Sequence, residues 1–163
     1  MPIAAAAVIY KIPAVIYETL REMKTLDADS AASLRVLISG PTSKVNDGLS
    51  ECLCEMDGIV VVGVETDVVK ALILTETQKP DVVLLDFETD GFAFLHTIAL
   101  FRKIKPQPAI IVLAQILTTI VRRHCSALGA ESVFEKTTEL DQLFDALQKL
   151  RGRKNGDFIR ETY

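Results

Sequence analysis

Asp86 is the residue in this sequence best placed to do chemistry. It ends the segment Lys79–Asp86, in which a Lys-Pro break and one acid are followed by four consecutive aliphatic residues. A short unbroken aliphatic run rich in β-branched residues indicates a strand buried on both faces, as in a parallel sheet covered by helices. Ligands usually bind at the carboxyl edge of such a sheet. Asp86 is therefore a candidate site residue, although an acid here could equally cap the strand and begin a turn.

The elements that would position Asp86 alternate regularly from Leu34 onward. Five apolar runs predict strands, and the segments between them, with apolar residues at helical spacing, predict helices. The predicted strands are Leu34–Ser39, Ile59–Val64, Asp81–Asp86, Ala109–Ala114 and Ser132–Glu135. The first two predicted helices are Thr42–Met56 and a helix that follows Asp67 and ends at about Thr77. The third contains Phe94, Leu95, Ile98 and Phe101. The last two are Thr118–Leu128, which Gly129 ends, and Thr138–Leu150. Cys52 and Leu140 are expected on buried helix faces.

This alternation predicts an α/β fold: a flavodoxin-like (βα)5 doubly wound parallel sheet with strand order 2-1-3-4-5. The domain is expected to span residues 34–150. Residues 1–33 form a predicted N-terminal extension, with an amphipathic helix from Pro13 to about Lys24 and a linker at Asp27–Ser33. This extension is expected either to dock or dimerise, or to be an unstructured tail. Residues 151–163 are predicted to be a charged C-terminal tail.

Composition limits the function classes. The chain has 163 residues, of which 49% are hydrophobic and 25% charged, which is typical of one folded domain. Its net charge of -4 argues against direct nucleic-acid binding. The apolar stretch Ile3–Tyr10 is too short to span a bilayer and lacks a positive leader. Membrane insertion is therefore not expected, and the predicted location is cytoplasmic. The three cysteines, Cys52, Cys54 and Cys125, are expected to be reduced thiols in helices.

Four segments together resemble the receiver domain of two-component response regulators, in particular the type that precedes LuxR-like DNA-binding modules. They are RVLISGPTSKVNDGL from Arg35, VVVGVETD from Val60, KPDVVLLD from Lys79 and ALGAESVFEK from Ala127. The resemblance implies that Asp86 is the phosphoacceptor and that Lys136 pairs with the phosphoryl group. It also implies a divalent metal, because phosphoryl transfer is catalysed mainly by positioning and charge stabilisation.

The sequence departs from the family at four positions. Gly40 and Pro41 replace the acidic pair that would hold the metal, and neither side chain can ligate Mg²⁺. Ala114 stands where the family has the Thr or Ser that binds the phosphoryl group, and Val133 stands at its aromatic switch position. The resemblance therefore implies a divergent receiver, or pseudo-receiver, in which Asp86 and Lys136 are expected to form an ion pair across the pocket.

Several residues near these positions have two interpretations. Glu88 and Asp90 are either replacement metal ligands, giving weak Mg²⁺ binding, or a solvated acidic turn. Ile116 and Leu117 either form a partner-binding patch or fold into the core. The Ser39–Ser43 segment has faint phosphate-loop character, which a helix cap also explains, so a flavin or nucleotide binder is the least favoured reading. His96 and His124 are expected to be ordinary helix residues, and no cofactor is expected.

The sequence thus predicts an atypical receiver domain that is not an enzyme and that acts through a protein partner or a homodimer. The alternative is a working receiver that takes phosphate on Asp86 from a sensor histidine kinase. The signal is expected to leave through a partner, a dimer or a module outside this sequence. Pathway and stimulus do not follow from the residues.

Overall fold

The structure is a computed structural model of the chain, and it describes residues 33–41, 43–88 and 93–156, without the side chains of residues 43–47 and 93. The predicted helix of the N-terminal extension and Asp90 lie outside the described residues. Five strands and five helices alternate along the chain. They are β1 (Leu34–Ser39), α1 (Ser43–Cys54), β2 (Ile59–Glu65), α2 (Val68–Gln78), β3 (Val82–Phe87), α3 (Ala93–Arg102), β4 (Ala109–Ala114), α4 (Thr119–Ala127), β5 (Ser132–Glu135) and α5 (Leu140–Lys154).

The five strands form one parallel sheet in the order β2-β1-β3-β4-β5, which confirms the predicted fold class. The aliphatic run Val82–Leu85 lies in the central strand, so its side chains are buried on both faces. β1 and β2 carry a register shift, because Val36 pairs with Val61 while Leu37 pairs with Gly63. Strand order reverses between β1 and β3, and this places Asp86 beside the topological switch point of the sheet.

Two layers of helix bury the two faces of the sheet. Alternate residues of the central strands, among them Val36, Leu84 and Leu113, pack in one cluster with Leu53 of α1 and Leu147 of α5. The residues between them are also buried, as the two-residue period of a strand requires when both faces are covered. The described part of the chain contains no helix long and apolar enough to cross a bilayer.

Local signals explain where the helices begin and end. The side chain of Asp67 accepts a hydrogen bond from the backbone N–H of Lys70 at 3.0 Å and caps α2, and Thr118 caps α4 in the same way. Gly129 follows α4 with a φ of 96°, a left-handed conformation that glycine adopts without a steric penalty. The predicted helix stop at Gly129 therefore matches the end of α4.

Two predicted burials are wrong. Cys52 is exposed, although Leu49 and Leu53 of the same helix are buried, because α1 presents a narrow apolar stripe and Cys52 lies outside it. Leu140 is 37% exposed, because it is the first residue of α5 and precedes the turns that reach the core. All three cysteines are free thiols, with Cys125 buried in α4.

The last helix is longer than predicted. α5 continues to Lys154, four residues into the predicted charged tail. Arg151 donates a hydrogen bond to the carbonyl oxygen of Asp57 at 2.7 Å. Lys154 donates to the carbonyl oxygen of Ser33 and to Asp81 Oδ2, each at 2.8 Å. These contacts with the start of the domain hold the extra turn, so the tail begins inside a helix.

Candidate functional site

Asp86 lies near the end of β3, where it pairs in register with Leu113 of β4. The residue is 1% exposed. Burial of an ionised carboxylate is costly unless a counter-charge compensates it. The position of Asp86 inside an otherwise aliphatic strand therefore requires a partner.

Lys136 supplies that counter-charge. It follows β5 directly, and its backbone N–H donates to the carbonyl oxygen of Ala114 at 3.0 Å, which fixes the residue at the carboxyl edge of the sheet. Its ammonium group forms an ion pair with Asp86 Oδ1, and its side chain is 10% exposed. The second carboxylate oxygen, Oδ2, receives no hydrogen bond from any described residue. Within the described chain, Oδ1 of Asp86 thus has an ion-pair partner, whereas Oδ2 has no hydrogen-bond partner.

Burial is the main influence on the acidity of Asp86, and it raises the pKa of this carboxyl group. The hydrogen bond and the positive charge of Lys136 act in the opposite direction. The negative charge of Glu88 raises the pKa slightly further. The pKa of Asp86 is raised overall, because the effect of burial outweighs that of Lys136.

The residues beside Asp86 offer little to a metal ion. Gly40 and Pro41 directly follow the first strand, and the backbone N–H of Gly40 donates to the carbonyl oxygen of Glu65 at 3.1 Å. Glu88 is exposed, and Asp90 lies outside the described residues. No group of three or more His, Cys, Asp or Glu side chains able to hold a metal ion occurs in residues 33–41, 43–88 and 93–156. The side chains present do not fit an Mg²⁺ site of the kind that the family resemblance implies.

A pocket of about 250 Å³ opens next to Asp86. Its walls come from the carboxyl ends of β1 and β3, the segments after β1, β2 and β3, the start of α2, and α3. They include Pro41, Val68, Phe87 and Phe94. The rings of Phe87 and Phe94 lie 4.6 Å apart between centroids, which closes one side with aromatic carbon. The pocket is therefore largely apolar, and the side chain of Asp86 beside it is fully buried.

A second charged group holds the outer edge of β5, and the sequence reasoning missed it. Arg122 of α4 donates to the carbonyl oxygen of Val133 at 2.7 Å and pairs with Glu139 at 3.1 Å. Glu139 accepts the backbone N–H of Glu135 at 2.8 Å. That hydrogen bond and the nearby Arg122 lower the pKa of Glu139. Arg122 and Glu139 are 17 residues apart, so neither helical nor strand periodicity could have revealed the pair.

The switch positions named from the resemblance are buried and apolar. Ala114 is 5% exposed at the end of β4, and Val133 is 3% exposed in β5. Beyond Ala114, Ile116 is exposed while Leu117 is half-buried. Ile120, in the first turn of α4, is also exposed, so two exposed aliphatic side chains lie near the start of this helix, one in the loop before it and one within it.

The remaining sequence candidates do not join the site. His96 and His124 are both exposed, on α3 and α4. Cys125 is buried, and burial raises the pKa of its thiol. A buried thiol with a raised pKa is a poor nucleophile and metal ligand.

The fold and this site define the class of the protein. Solved structures with the same fold include a LuxR-family two-component response regulator from Aurantimonas sp. SI85-9A1, with a TM-score of 0.66 and 17% identity over 74% of this chain and 86% of that one. The signal receiver domain of the putative response regulator NarL from Mycobacterium tuberculosis has a TM-score of 0.63 and 21% identity, over 74% of this chain and 98% of that one. At these identities the likeness establishes the fold.

The family is established by sequence. A family model described as the response regulator receiver domain matches residues 36–148. The chain is also 32% identical over 127 residues to the transcriptional regulatory protein PdtaR of Mycobacterium tuberculosis, covering 76% of this chain and 60% of that protein. The chain thus spans less than two thirds of the length of this relative. It belongs to the response regulator receiver domain family of two-component signalling.

Proposed function

We propose that this receiver is an atypical, phosphorylation-independent one that signals through protein-protein contact and is not an enzyme. The observation that carries the proposal is that Gly40 and Pro41 follow the first strand beside Asp86, so the described part of the pocket offers no acidic pair for a metal ion. The ammonium group of Lys136 compensates the carboxylate that a phosphoryl group would otherwise modify.

Three electrostatic contributions to phosphoryl transfer are absent from the described site. Gly40 and Pro41 bring no carboxylates for a metal, and Ala114 brings no hydroxyl group to the phosphoryl oxygens. Such pre-positioned charges and donors usually contribute the largest part of the rate enhancement. Mg²⁺ binding at Glu88 or Asp90 is expected to be weak, and no resident cofactor is required.

The surface that we propose for partner contact lies at α4. Ile116, in the loop after β4, and Ile120, in the first turn of α4, are 62% and 60% exposed, and neighbouring exposed aliphatic side chains can mark a protein contact. Arg122 and Glu139 fix the adjoining edge of β5, so this surface is held in place without a phosphoryl group. We propose that it contacts a protein partner or a second copy of the chain in the cytoplasm, and that nucleic acid is not a direct partner.

The alternative, a phosphoacceptor receiver served by a sensor histidine kinase, is favoured by one observation. Asp86 and Lys136 occupy the places that the family resemblance assigns to the phosphoacceptor and its lysine, and they are in contact. A phosphoryl group on Asp86 would need Lys136 to leave the carboxylate and bind the phosphoryl oxygens instead. This alternative makes an opposite prediction in a phosphorylation assay.

The test uses a small acyl phosphate donor, such as acetyl phosphate, with Mg²⁺. Intact-mass measurement is expected to show no phosphoryl adduct on the native chain. The double variant Gly40→Asp/Pro41→Asp restores the acidic pair and is expected to gain an adduct, which Asp86→Ala in the same background removes. An adduct on the native chain that depends on Asp86 would contradict the proposal and support the alternative.

The contact surface is tested separately. Ile116→Asp/Ile120→Asp is expected to abolish self-association or partner capture measured by sedimentation velocity or cross-linking. Val69→Asp is the matched control, because Val69 is 63% exposed on α2, away from this surface. Equal loss in both variants would refute the assignment of the surface.

A further inference from the structure

Lys136 is placed on Asp86 by the backbone that carries it. Its side chain is 10% exposed, and its ammonium group has no partner besides Asp86 in the part of the chain that the structure describes. The four-carbon stem of a lysine is flexible, so its charge keeps one position only if the stem is anchored. Lys136 is the first residue after β5. The geometry of the ion pair therefore depends on the turn between β5 and α5.

Glu139, just before α5, closes this turn. Its Oε2 accepts the backbone N–H of Glu135 at 2.8 Å, and its own backbone N–H donates to the carbonyl oxygen of Glu135 at 3.0 Å. Both hydrogen bonds end on the residue next to Lys136. The backbone N–H of Lys136 donates to the carbonyl oxygen of Ala114 at 3.0 Å. The turn is thus fixed to Glu139 on one side and to β4 on the other.

Arg122 of α4 holds Glu139 in this position. One guanidinium nitrogen donates to both carboxylate oxygens of Glu139, at 3.1 and 3.2 Å, and another donates to the carbonyl oxygen of Val133 at 2.7 Å. The planar fork of an arginine can serve two acceptors in a fixed geometry, which the point charge of a lysine does not reproduce. A continuous chain of contacts therefore runs from Arg122, whose side chain is half-exposed, to the buried carboxylate of Asp86.

We propose that Arg122 and Glu139 are positioning residues of the candidate site, which hold the turn after β5 so that the ammonium group of Lys136 lies on Asp86. They act through Lys136, whereas the charged groups that act directly on the acidity of Asp86 are Lys136 and Glu88. The proposal goes beyond the proposed function, because it gives two residues outside the pocket a role in the site. It holds whether or not Asp86 accepts a phosphoryl group.

The test measures the pKa of Asp86 in variants of the full chain by carboxyl 13C NMR. Burial raises this pKa and Lys136 lowers it, so a change that moves the ammonium group away is expected to raise it further. Arg122→Gln and Glu139→Ala both disturb the turn, and both are expected to raise the pKa of Asp86. A direct effect of charge predicts opposite signs, because one variant removes a positive charge and the other a negative one.

Two conservative variants separate geometry from charge. Arg122→Lys keeps the positive charge but loses the fork, and it is expected to raise the pKa of Asp86 nearly as much as Arg122→Gln. Glu139→Gln keeps an oxygen that can accept the Glu135 N–H, and it is expected to raise the pKa less than Glu139→Ala. Both conservative variants keep the length of the side chain, so they also serve if a larger truncation does not fold.

A second measurement follows the turn itself. The backbone N–H of Lys136 is expected to exchange with solvent about fivefold faster in Arg122→Gln and in Glu139→Ala, which corresponds to the loss of a typical hydrogen bond. Protection equal to that of the native chain in both variants would contradict the proposal.

Glu131→Gln is the matched control, because it breaks an exposed ion pair with Arg153 just before the start of the same strand. It is expected to leave the pKa of Asp86 unchanged. An unchanged or lowered pKa of Asp86 in Glu139→Ala would overturn the proposal, and so would an unchanged pKa in Arg122→Lys or an equal rise in Glu131→Gln. None of these measurements involves phosphoryl transfer. Failure here is therefore distinguishable from failure of the proposed phosphorylation-independent function.

Discussion

Two aspartates stand at opposite ends of the central strand and have very different surroundings. Asp81, just before β3, has a side chain that is 29% exposed and accepts the backbone N–H of Arg35 and the ammonium group of Lys154, both at 2.8 Å. Asp86, five residues later, is buried and has one ion-pair partner, Lys136. Its second oxygen is unpartnered within the described residues.

The difference distinguishes the amino edge of the sheet from the carboxyl edge, where the candidate site lies. At the amino edge, Asp81 forms hydrogen bonds with β1 and with the end of α5, and both contacts stabilise the folded chain. At the carboxyl edge, Asp86 is held in an environment that raises its pKa and that fold stability alone does not require. Charge kept in a poorly satisfied state is characteristic of sites that bind or react.

The largest effect is expected from removing the partner of Asp86. Lys136→Met leaves a buried carboxylate without its counter-charge, which costs about 3 kcal/mol of unfolding free energy at neutral pH. The matched change at the other aspartate, Lys154→Met, breaks a half-exposed pair and is expected to cost less than about 1 kcal/mol. Urea unfolding of both variants measures the contrast. Similar losses of unfolding free energy in the two variants would mean that the ion pairs at the two edges of the sheet contribute equally to stability.

The loss of unfolding free energy in Lys136→Met is also expected to depend on pH. Burial raises the pKa of Asp86, and without Lys136 the main opposing influence is gone. Native Asp86 then holds a proton that the unfolded chain, with a pKa of about 3.9, has already released. The native state binds more protons, so its stability increases as pH falls toward the unfolded value. The deficit relative to native protein is expected to shrink between neutral and acidic pH, and a pH-independent deficit would contradict this account.

A second variant removes both charges. Asp86→Asn/Lys136→Met replaces the buried pair with neutral groups and is expected to recover most of the loss, to within about 1 kcal/mol of the native chain. A double-mutant cycle with Asp86→Asn measures the coupling between the two side chains. Recovery identifies the uncompensated charge as the cause. A double variant as unstable as Lys136→Met would instead indicate that lost packing of the lysine stem is responsible.

A smaller effect is expected at the amino edge. Asp81→Ala removes the acceptor of the part-buried Arg35 N–H, which is expected to cost about 1–2 kcal/mol. Asp81→Asn keeps an oxygen acceptor and is the matched control, with a smaller loss. Chemical denaturation compares them. If Asp81→Ala does not change the free energy of unfolding, water replaces the acceptor and this edge contributes little to stability.

The smallest effect is expected at the edge of β5. The Glu135 N–H and Arg122 lower the pKa of Glu139, so its stabilising contribution is present above the unfolded pKa of about 4.3 and is lost as pH falls through the folded pKa. Glu139→Gln is expected to flatten the dependence of the urea midpoint on pH in this acidic window by less than about 1 kcal/mol, because the pair is largely exposed. Glu131→Gln, which breaks the exposed pair with Arg153, is the matched control for the loss of a surface ion pair.

The sequence was sufficient for the fold because burial and chain breaks mark its strands. β1, β4 and β5 begin and end where the apolar runs do. The end of α5 was not predictable in the same way, since Arg151 and Lys154 are held by carbonyl groups of Asp57 and Ser33, far away in sequence. Local pattern cannot report such contacts.

The site was predictable where a single residue interrupts a pattern. Asp86 is conspicuous because it ends an aliphatic strand, and the resemblance added Lys136. Arg122 and Glu139 were missed, since each looks like an ordinary solvated helix residue and their pairing depends on the position of β5. The pocket was also missed, because its walls come from strand ends, loops and helices that are far apart in the sequence.

The most direct test is an amide NMR titration of the native chain with Mg²⁺ and beryllium fluoride, a phosphoryl mimic. The account predicts that the amides of Asp86, Ala114 and Lys136 do not respond, and that they do respond in Gly40→Asp/Pro41→Asp. Saturable shifts of these amides in the native chain that disappear in Asp86→Ala would contradict the account. They would show that Asp86 can accept a phosphoryl group despite its ion pair with Lys136.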